Sequence, residues 1–417
     1  MGTSFQLDSF NYLKLLSRIC LFFLGWCITF LSDIMLCELY ILLSLTIFYF
    51  SGNRFLFLSL SLFSAYTLFP LEFSRLGGLY FDMAYDSVLT SSFFAVKMLV
   101  IFLSFMHISQ VKTNSVDVFF NTLLRSLEKV NGIKLLLIHF IALICGSISL
   151  IQFVANGQLY DLRDNNDILF FAQNQYYQII FIPIALILLV KALKNKFEII
   201  YLVMLLLPFL LSASRKEIFV LACAFYLTYP KIIAGKRKIW LVFFALTMFL
   251  SPMFREGVGV YDRFVSFHEF ILPQYGLIIS QSIGIDGSYF PNSNFLSGFW
   301  ALIPSFLRLS DYITIGNQLS QLNIGNIGLA STPALDAYIN FGILGIYIYP
   351  IFIFLYYKAC MFIISRRLVQ LSPFLFYFIV FGRSELWLTI FFSLYTSLFF
   401  LILLAKKDRD DFNDHLY

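Results

Sequence analysis

The chain has 417 residues, of which 60% are hydrophobic and 13% charged, and its mean hydropathy is +0.83. A soluble domain of this length needs more polar surface, so the composition excludes a water-soluble globule and indicates an integral membrane protein. The net charge of +5 requires no nucleic-acid partner, because positively charged loops orient any polytopic membrane protein.

Hydropathy predicts an all-α, polytopic integral membrane bundle with about 12 transmembrane helices. The apolar segments lie at about 15–31, 34–50, 55–71, 92–110, 134–154, 176–193, 197–213, 217–234, 239–254, 337–357, 371–382 and 386–405. The first is preceded by Lys14 and Arg18 but has no small-residue cleavage site, so we expect a retained span and no cleaved signal peptide. The chain then divides into spans one to nine (1–254), a long loop (255–336), three further spans (337–405) and a tail (406–417).

The distribution of cations predicts which face of the membrane each loop occupies. With a cytoplasmic N-terminus, 20 of the 29 Lys and Arg residues lie on the cytoplasmic side and 8 on the outer side, while Lys97 lies in a span. This bias satisfies the positive-inside rule, so we expect both termini in the cytoplasm and the loop 255–336 outside.

The outer cations differ in kind from the inner ones. Seven of the eight are Arg, whereas 13 of the 20 inner cations are Lys. Guanidinium groups bind phosphate and carboxylate with two parallel hydrogen bonds, so this bias indicates an anionic ligand on the outer face. Pairing with acids of the same loops is the alternative interpretation.

Two apolar segments of the long outer loop are too short or too interrupted to span a membrane. They are FILPQYGLIISQSIG at 270–284 and FLSGFWALIPSFLRLS at 295–310. Such segments commonly lie in the interface or re-enter it, and a partly embedded loop of this kind suits a substrate with a lipid tail and a polar head.

Cysteine and histidine spacing predicts no disulfide framework and no metal site. The six cysteines lie in or beside apolar segments, without CxxC spacing and without clustered histidines. No nucleotide-binding loop is present either, so we expect no metal and no cofactor.

Several motifs occur in a characteristic order in the second half of the chain. They are LLSASRKE, AGKRK, MFREGVGVYDRF, the long outer loop and STPALDAYINFGILGIYIYP. This succession, mainly at 200–360, resembles the bacterial Wzy-type O-antigen polymerases, which are related in architecture to O-antigen ligases. The resemblance implies a metal-independent glycosyltransferase of the bacterial inner membrane, facing the periplasm and acting on undecaprenyl-pyrophosphate-linked oligosaccharide. It also implies membrane lipid and a chain-length regulator protein as partners.

Two departures from the family pattern bear on this interpretation. Ligases carry a His shortly before the Gly-rich start of a span, where this chain has Ser331, Thr332 and Asp336, and this favours a polymerase. No Arg is followed eleven residues later by Gly, a spacing of some polymerases, which leaves the arginine roles open. The alternatives are an O-antigen ligase and a lipid-linked oligosaccharide flippase or transporter.

Transfer from a polyprenyl pyrophosphate without a metal needs cations for the departing diphosphate. Arg215, at the outer end of a span in a Ser-rich turn, is the first candidate. Arg255 and Arg263 are expected to share a face of one helix and to clamp the diphosphate, or else to pair with neighbouring acids. Arg308 and Arg163 are further candidate ligands of the phosphate or glycan.

The acceptor hydroxyl must lose a proton to a general base. Glu269 and Asp336 are the preferred candidates for this base, and His268 is the alternative. Arg383 and Glu385 in FGRSEL are interpreted instead as a local salt bridge or helix-end pair.

Two further features predict helix contacts. Glu38 and Lys97 lie at matched depth inside spans, so we expect them to form an ion pair. Gly342 and Gly345 have the spacing of small residues that let helix backbones approach closely.

Overall fold

The computed structural model describes residues 2–31, 33–75, 85–109, 113–156, 175–211, 215–229, 268–284, 295, 297–303, 307, 315 and 332–405. Within these ranges the regular structure is entirely helical. The α-helices are α1 Gly2–Leu31, α2 Ile34–Phe50, α3 Arg54–Arg75, α4 Tyr85–Ile108, α5 Thr113–Glu128, α6 Ile133–Asn156, α7 Gln175–Ala192, α8 Glu198–Leu211, α9 Arg215–Thr228, α10 His268–Ile283, α11 Pro333–Phe341, α12 Gly345–Ser365, α13 Pro373–Ile379 and α14 Leu386–Leu404.

Among the described residues, five helical stretches are long and apolar enough to cross a membrane. They are Arg54–Glu72, Asp86–Ile108, Ile133–Gln152, Pro333–Ser365 and Leu386–Leu404. Shorter apolar helices lie at Leu15–Leu31, Ile34–Phe50, Tyr177–Ala192, Glu198–Phe209, Glu217–Thr228 and Val369–Ile379. The chain is therefore a helical protein with several apolar helices of membrane-spanning character, as its composition predicts.

Helices occupy most of the apolar segments found in the sequence, with two differences near the C-terminus. The segment 337–357 contains a break, because the 3₁₀ turn Gly342–Leu344 separates α11 from α12. At 371–382 the α-helix is only Pro373–Ile379, flanked by 3₁₀ turns at Val369–Leu371 and Phe381–Arg383. Seven residues rise about 10 Å, so this helix alone does not cross a bilayer. The ninth predicted span and the tail lie outside the described residues.

The helix α5 lies between the predicted spans 92–110 and 134–154, where only a cytoplasmic loop was expected. Its buried residues recur every three or four positions, as on one face of an amphipathic helix: Val116, Phe119, Phe120, Leu123 and Leu127. A hydropathy search for spans misses such a helix because its other face is polar.

The chain forms two compact units. The first comprises residues 1–116, 263–362 and 377–391, and the second 117–262, 363–376 and 392–417. In the first unit α4 packs against α1, α2 and α3. In the second unit α8 packs against α6 and α7, and α9 packs against α7.

The segment around 270–284, expected at the membrane interface, includes most of α10. This helix packs against α3, α4 and α11 of the first unit. Its middle is buried, and Gln274 Nε2 donates a 3.0 Å hydrogen bond to Tyr66 O of α3. At about 24 Å for sixteen residues, α10 is shorter than a bilayer core, and it lies among the apolar helices of its unit.

The two glycines of NFGILG have different roles. A Cβ built on Gly345 would lie 2.4 Å from Ala337 O, so α12 approaches α11 closely at this point. Gly342 has φ +57° and nothing within 4 Å of a built Cβ, so it serves the backbone conformation of the break. The expected close approach is confirmed for Gly345 only.

Candidate functional site

Asp336 lies in the first turn of α11 and is buried, with 3% of its surface exposed. The helix begins with a regular cap, because Thr332 Oγ1 accepts a 3.1 Å hydrogen bond from Leu335 N and Pro333 occupies the first turn. A carboxylate in the first turn is also favoured by the partial positive charge of the helix N-terminus.

Both oxygens of Asp336 accept hydrogen bonds. Tyr349 OH and Leu386 N donate to Oδ2, the latter at 3.2 Å, and Asn340 Nδ2 donates to Oδ1 at 2.6 Å. These donors come from α11, α12 and the first residue of α14, all within the first unit, so the carboxylate joins three helical segments there. All three donors are uncharged, and they hold Asp336 in one orientation without neutralising it.

A second buried acid, Glu385, directly precedes α14 and is 1% exposed. Its Oε1 accepts a 2.6 Å hydrogen bond from Ile315 N. Because the next backbone N–H, that of Leu386, binds Asp336, the two acids lie near enough for their charges to repel each other. The structure therefore brings a pair of carboxylates together at the starts of α11 and α14.

Aromatic side chains line this acid pair. The ring of Phe295 lies 5.5 Å from Trp387, 4.5 Å from Phe352 and 5.2 Å from Phe341, measured between centroids. Tyr349, which binds Asp336, is 6.3 Å from Phe295. These rings therefore form a contiguous apolar wall beside the two acids.

Trp387 connects this wall to the 3₁₀ turn Ser297–Leu302. A Cβ built on Gly298 would lie 2.2 Å from Trp387 Cδ1, so only a glycine permits this contact. The indole Nε1 is buried and has no hydrogen-bond partner among the described residues. It is therefore a donor available to a polar ligand.

Carboxylates beside aromatic rings suit the chemistry of sugars. A carboxylate can take a proton from a hydroxyl within hydrogen-bond distance, and an aromatic ring can pack against the apolar face of a pyranose. In the described part of the chain, no group of three His, Cys, Asp or Glu side chains is placed to hold a metal ion.

Of the residues proposed from sequence, Asp336 is the one whose side chain the structure describes. His268 and Glu269 begin α10, which packs against the Asp336 helix, but their side chains are outside the described set. Arg215 begins α9 in the second unit, and only its backbone is described. Arg163, Arg255, Arg263 and Arg308 lie outside the described residues, so the expected arginine cluster stays a prediction.

Four residues of this site were not predicted from the sequence: Asn340, Tyr349, Glu385 and Trp387. Asn340 follows Asp336 by four residues and so shares its helix face, which is a signal present in the sequence. Glu385 does lie at a helix end, as expected, but it is buried and bonded to the backbone of Ile315. Its proximity to Asp336 depends on long-range packing.

A separate charged cluster lies at the ends of α2 and α3. Arg75 Nη1 is 2.8 Å from Glu38 Oε1, 3.0 Å from Glu38 Oε2 and 2.6 Å from Glu72 Oε1. Hydrogen bonding to Glu38 is the main cause that raises the pKa of Arg75. The Nζ of Lys97 lies 4.4 Å from the centroid of the Phe93 ring. Glu38 therefore pairs with Arg75, which the sequence did not predict, and the expected Glu38–Lys97 pair stays a prediction.

Comparison of the chain with protein-family models, with curated proteins and with solved structures finds no significant match.

Proposed function

We propose that the chain polymerises undecaprenyl-pyrophosphate-linked oligosaccharide repeat units at the periplasmic face of the bacterial inner membrane. The observation that carries this proposal is the buried pair Asp336 and Glu385, with Tyr349 bound to Asp336 and the rings of Phe295 and Trp387 beside it. The apolar helices of the chain are consistent with a substrate whose isoprenoid tail stays in lipid. The order of motifs in the sequence supports the same assignment.

The proposal includes a topology of about 12 spans, with both termini in the cytoplasm and the segment 255–336 in the periplasm. Asp336 and Glu385 then lie at the periplasmic ends of their helices, where lipid-linked repeat units accumulate. The bias of cations toward the opposite side supports this orientation.

Asp336 acts as the general base in the proposed reaction. It takes the proton from a hydroxyl of the acceptor sugar, whose oxygen forms a bond to the anomeric carbon of the growing glycan. The bond from that carbon to the undecaprenyl pyrophosphate breaks, and the diphosphate leaves with the electron pair. Tyr349 and Asn340 orient the carboxylate, and the acceptor hydroxyl must displace or share one of their hydrogen bonds.

Arginines stabilise the diphosphate leaving group in this scheme. Arg215, Arg255 and Arg263 are the proposed ligands, because without a metal the developing negative charge needs guanidinium or backbone N–H donors. Arg308 and Arg163 are assigned to the glycan or the phosphate. A chain-length regulator protein is the proposed partner in the membrane.

Asp336→Asn tests this assignment, because it keeps the shape of the side chain and removes its basicity. In a deletion strain complemented with this variant, we expect surface lipid that carries single repeat units but no long chains. Asp86→Asn, at an exposed position in the first turn of α4, is the control and should restore long chains. Immunodetection in the membrane fraction establishes equal insertion of both variants.

Three outcomes would contradict the polymerase proposal. Long chains of wild-type distribution from the Asp336→Asn strain would remove Asp336 from the mechanism. Loss of every surface repeat in the deletion strain would indicate a flippase. Long chains that accumulate on undecaprenyl pyrophosphate without reaching the surface lipid would indicate a ligase.

A further inference from the structure

Two turns at one end of the second unit are tied together by lysines. Lys191 Nζ of α7 donates hydrogen bonds to Glu128 O at 2.8 Å and to Asn131 Oδ1 at 2.6 Å. Lys194 Nζ lies 3.1 Å from Glu128 Oε1. The turn between α5 and α6 and the turn between α7 and α8 are therefore held side by side.

Together these turns present exposed lysines beside exposed apolar side chains. Lys129 and Lys196 are exposed, and the side chain of Lys194 is 66% exposed. At the same two turns Ile133 is 84% and Phe197 is 73% exposed. We call this set, Lys129, Lys194, Lys196, Ile133 and Phe197, the lysine–apolar patch.

The patch lies at the end of an apolar surface that follows α6 and α8. Leu136 on α6 and Ile199 and Ile200 on α8 are exposed in the first turns beyond the patch. Large exposed apolar side chains of this kind face lipid in a membrane protein, and lysines at their border lie at the depth of the lipid headgroups. The neighbouring acids are engaged, because Glu128 binds Lys194 and Glu198 binds His139 at 2.6 Å.

We propose that the lysine–apolar patch binds an anionic phospholipid. The ammonium groups of Lys129 and Lys196, supported by Lys194, contact the phosphate and the charged headgroup. The acyl chains lie against Ile133 and Phe197 and continue along the exposed side chains of α6 and α8. This site is independent of the acid pair around Asp336 and of the reaction proposed there.

The apolar flank favours a lipid over a soluble phosphate. A free phosphate or sugar phosphate would use the lysines and leave Ile133 and Phe197 in contact with water. A phospholipid uses both halves of the patch, since its headgroup and its acyl chains match the two kinds of side chain. The tie made by Lys191 and Lys194 holds together the two turns that carry Lys129 and Lys196.

Lipid retention measured by native mass spectrometry tests the proposal. The full chain is reconstituted in nanodiscs that contain equal amounts of phosphatidylglycerol and phosphatidylcholine, and the lipids that remain bound after release are counted. We expect wild-type protein to retain phosphatidylglycerol preferentially. The double variant Lys129→Gln/Lys196→Gln should lower the ratio of phosphatidylglycerol to phosphatidylcholine by about tenfold.

A control variant removes two positive charges outside the lysine–apolar patch. Arg125→Gln and Lys358→Gln, two exposed positions outside the patch, should together leave the ratio close to that of the wild type. Phe197→Ser keeps the charges and should lower retention of phosphatidylglycerol about threefold through lost apolar contact. Monodisperse elution in detergent establishes that each variant is folded.

The proposal is overturned if the Lys129→Gln/Lys196→Gln protein keeps the wild-type ratio, or if the control double variant loses as much. An excess of glycerol 3-phosphate should not displace the bound lipid. Displacement by this soluble headgroup, together with no effect of Phe197→Ser, would show a simple phosphate site and would also overturn the lipid assignment.

Discussion

Tyr349 donates its hydroxyl hydrogen bond to Asp336 Oδ2, joining α12 to α11 across the 3₁₀ turn that separates them. Both residues are buried. The same Asp336 oxygen also accepts the bond from Leu386 N, which brings the start of α14 to the same place. One carboxylate thus fixes both the geometry of the proposed site and the junction of three helices.

Tyr349→Phe should shorten the polymer clearly and lower the stability of the protein only modestly. The change removes one hydrogen bond to a buried carboxylate, at a cost of about 1–2 kcal/mol, while the ring keeps its packing. We expect shorter chains on gels of surface lipid and a modest fall in the unfolding temperature in detergent.

Tyr347→Phe is the matched control for that prediction. The ring of Tyr347 stacks on Trp26 at 5.7 Å and on Phe30 at 5.9 Å, away from the acid pair, and these contacts do not need the hydroxyl. Equal chain lengths from the two variants would remove Tyr349 from the orientation of Asp336.

Double-mutant cycles should find coupling between Glu38 and Arg75. Removal of the Arg75 charge takes the observed cation away from the partly buried Glu38, and we expect a loss of about 1–2 kcal/mol in the free energy of unfolding. The double variant Glu38→Gln/Arg75→Gln should recover part of this loss. A coupling near zero between Glu38 and Arg75 would contradict the observed pairing.

Gly345→Ala should destabilise the junction between α11 and α12. The added methyl group would meet Ala337 O at 2.4 Å, a backbone atom that cannot move aside as a side chain does. We expect a loss of about 1–3 kcal/mol, measured by thermal unfolding in detergent. Gly382→Ala is a useful comparison, because the nearest atom to its built Cβ is Tyr66 Cδ2 at 3.0 Å, a contact that needs only a small shift. A smaller effect at Gly345 than at Gly382 would contradict this account.

Lys134→Met should loosen the C-terminal turn of α14. Lys134 Nζ donates to Ile402 O at 3.2 Å, Leu403 O at 2.9 Å and Ala405 O at 2.5 Å, and it also places a cation at the negative end of the helix. We expect faster amide hydrogen exchange at the end of α14, measured by mass spectrometry. Arg125→Met should leave that exchange unchanged, and an unchanged rate in the Lys134 variant would argue against the cap.

The apolar pattern predicted the helices well because burial in lipid depends on length and hydropathy, which are local. The segments 34–50 and 386–405, for example, correspond closely to α2 and α14. The same criterion missed the amphipathic α5 and did not find the break at Gly342–Leu344, since the broken segment is as apolar as a continuous helix.

The candidate site was predictable only in part, for a different physical reason. Asp336 was identified because an acid at the start of an apolar helix stands out in the sequence. Its closeness to Tyr349 and to Leu386, the residue after Glu385, was not, because these contacts join positions 13 and 50 residues away. The partner of Glu38 was missed for a related reason: Lys97 matched it in depth, but Arg75 was the cation placed beside it.

The helices that follow the break after α11 determine on which side of the membrane the later turns lie. The helix α12 leaves the acid pair and extends for 21 residues, or about 32 Å, yet the start of α14 is again at Asp336. The chain between them must retrace that distance through α13 and its flanking 3₁₀ turns. Reporters fused after Arg367 and after Ser384 should accordingly mark opposite compartments, whichever way the rest of the chain is oriented.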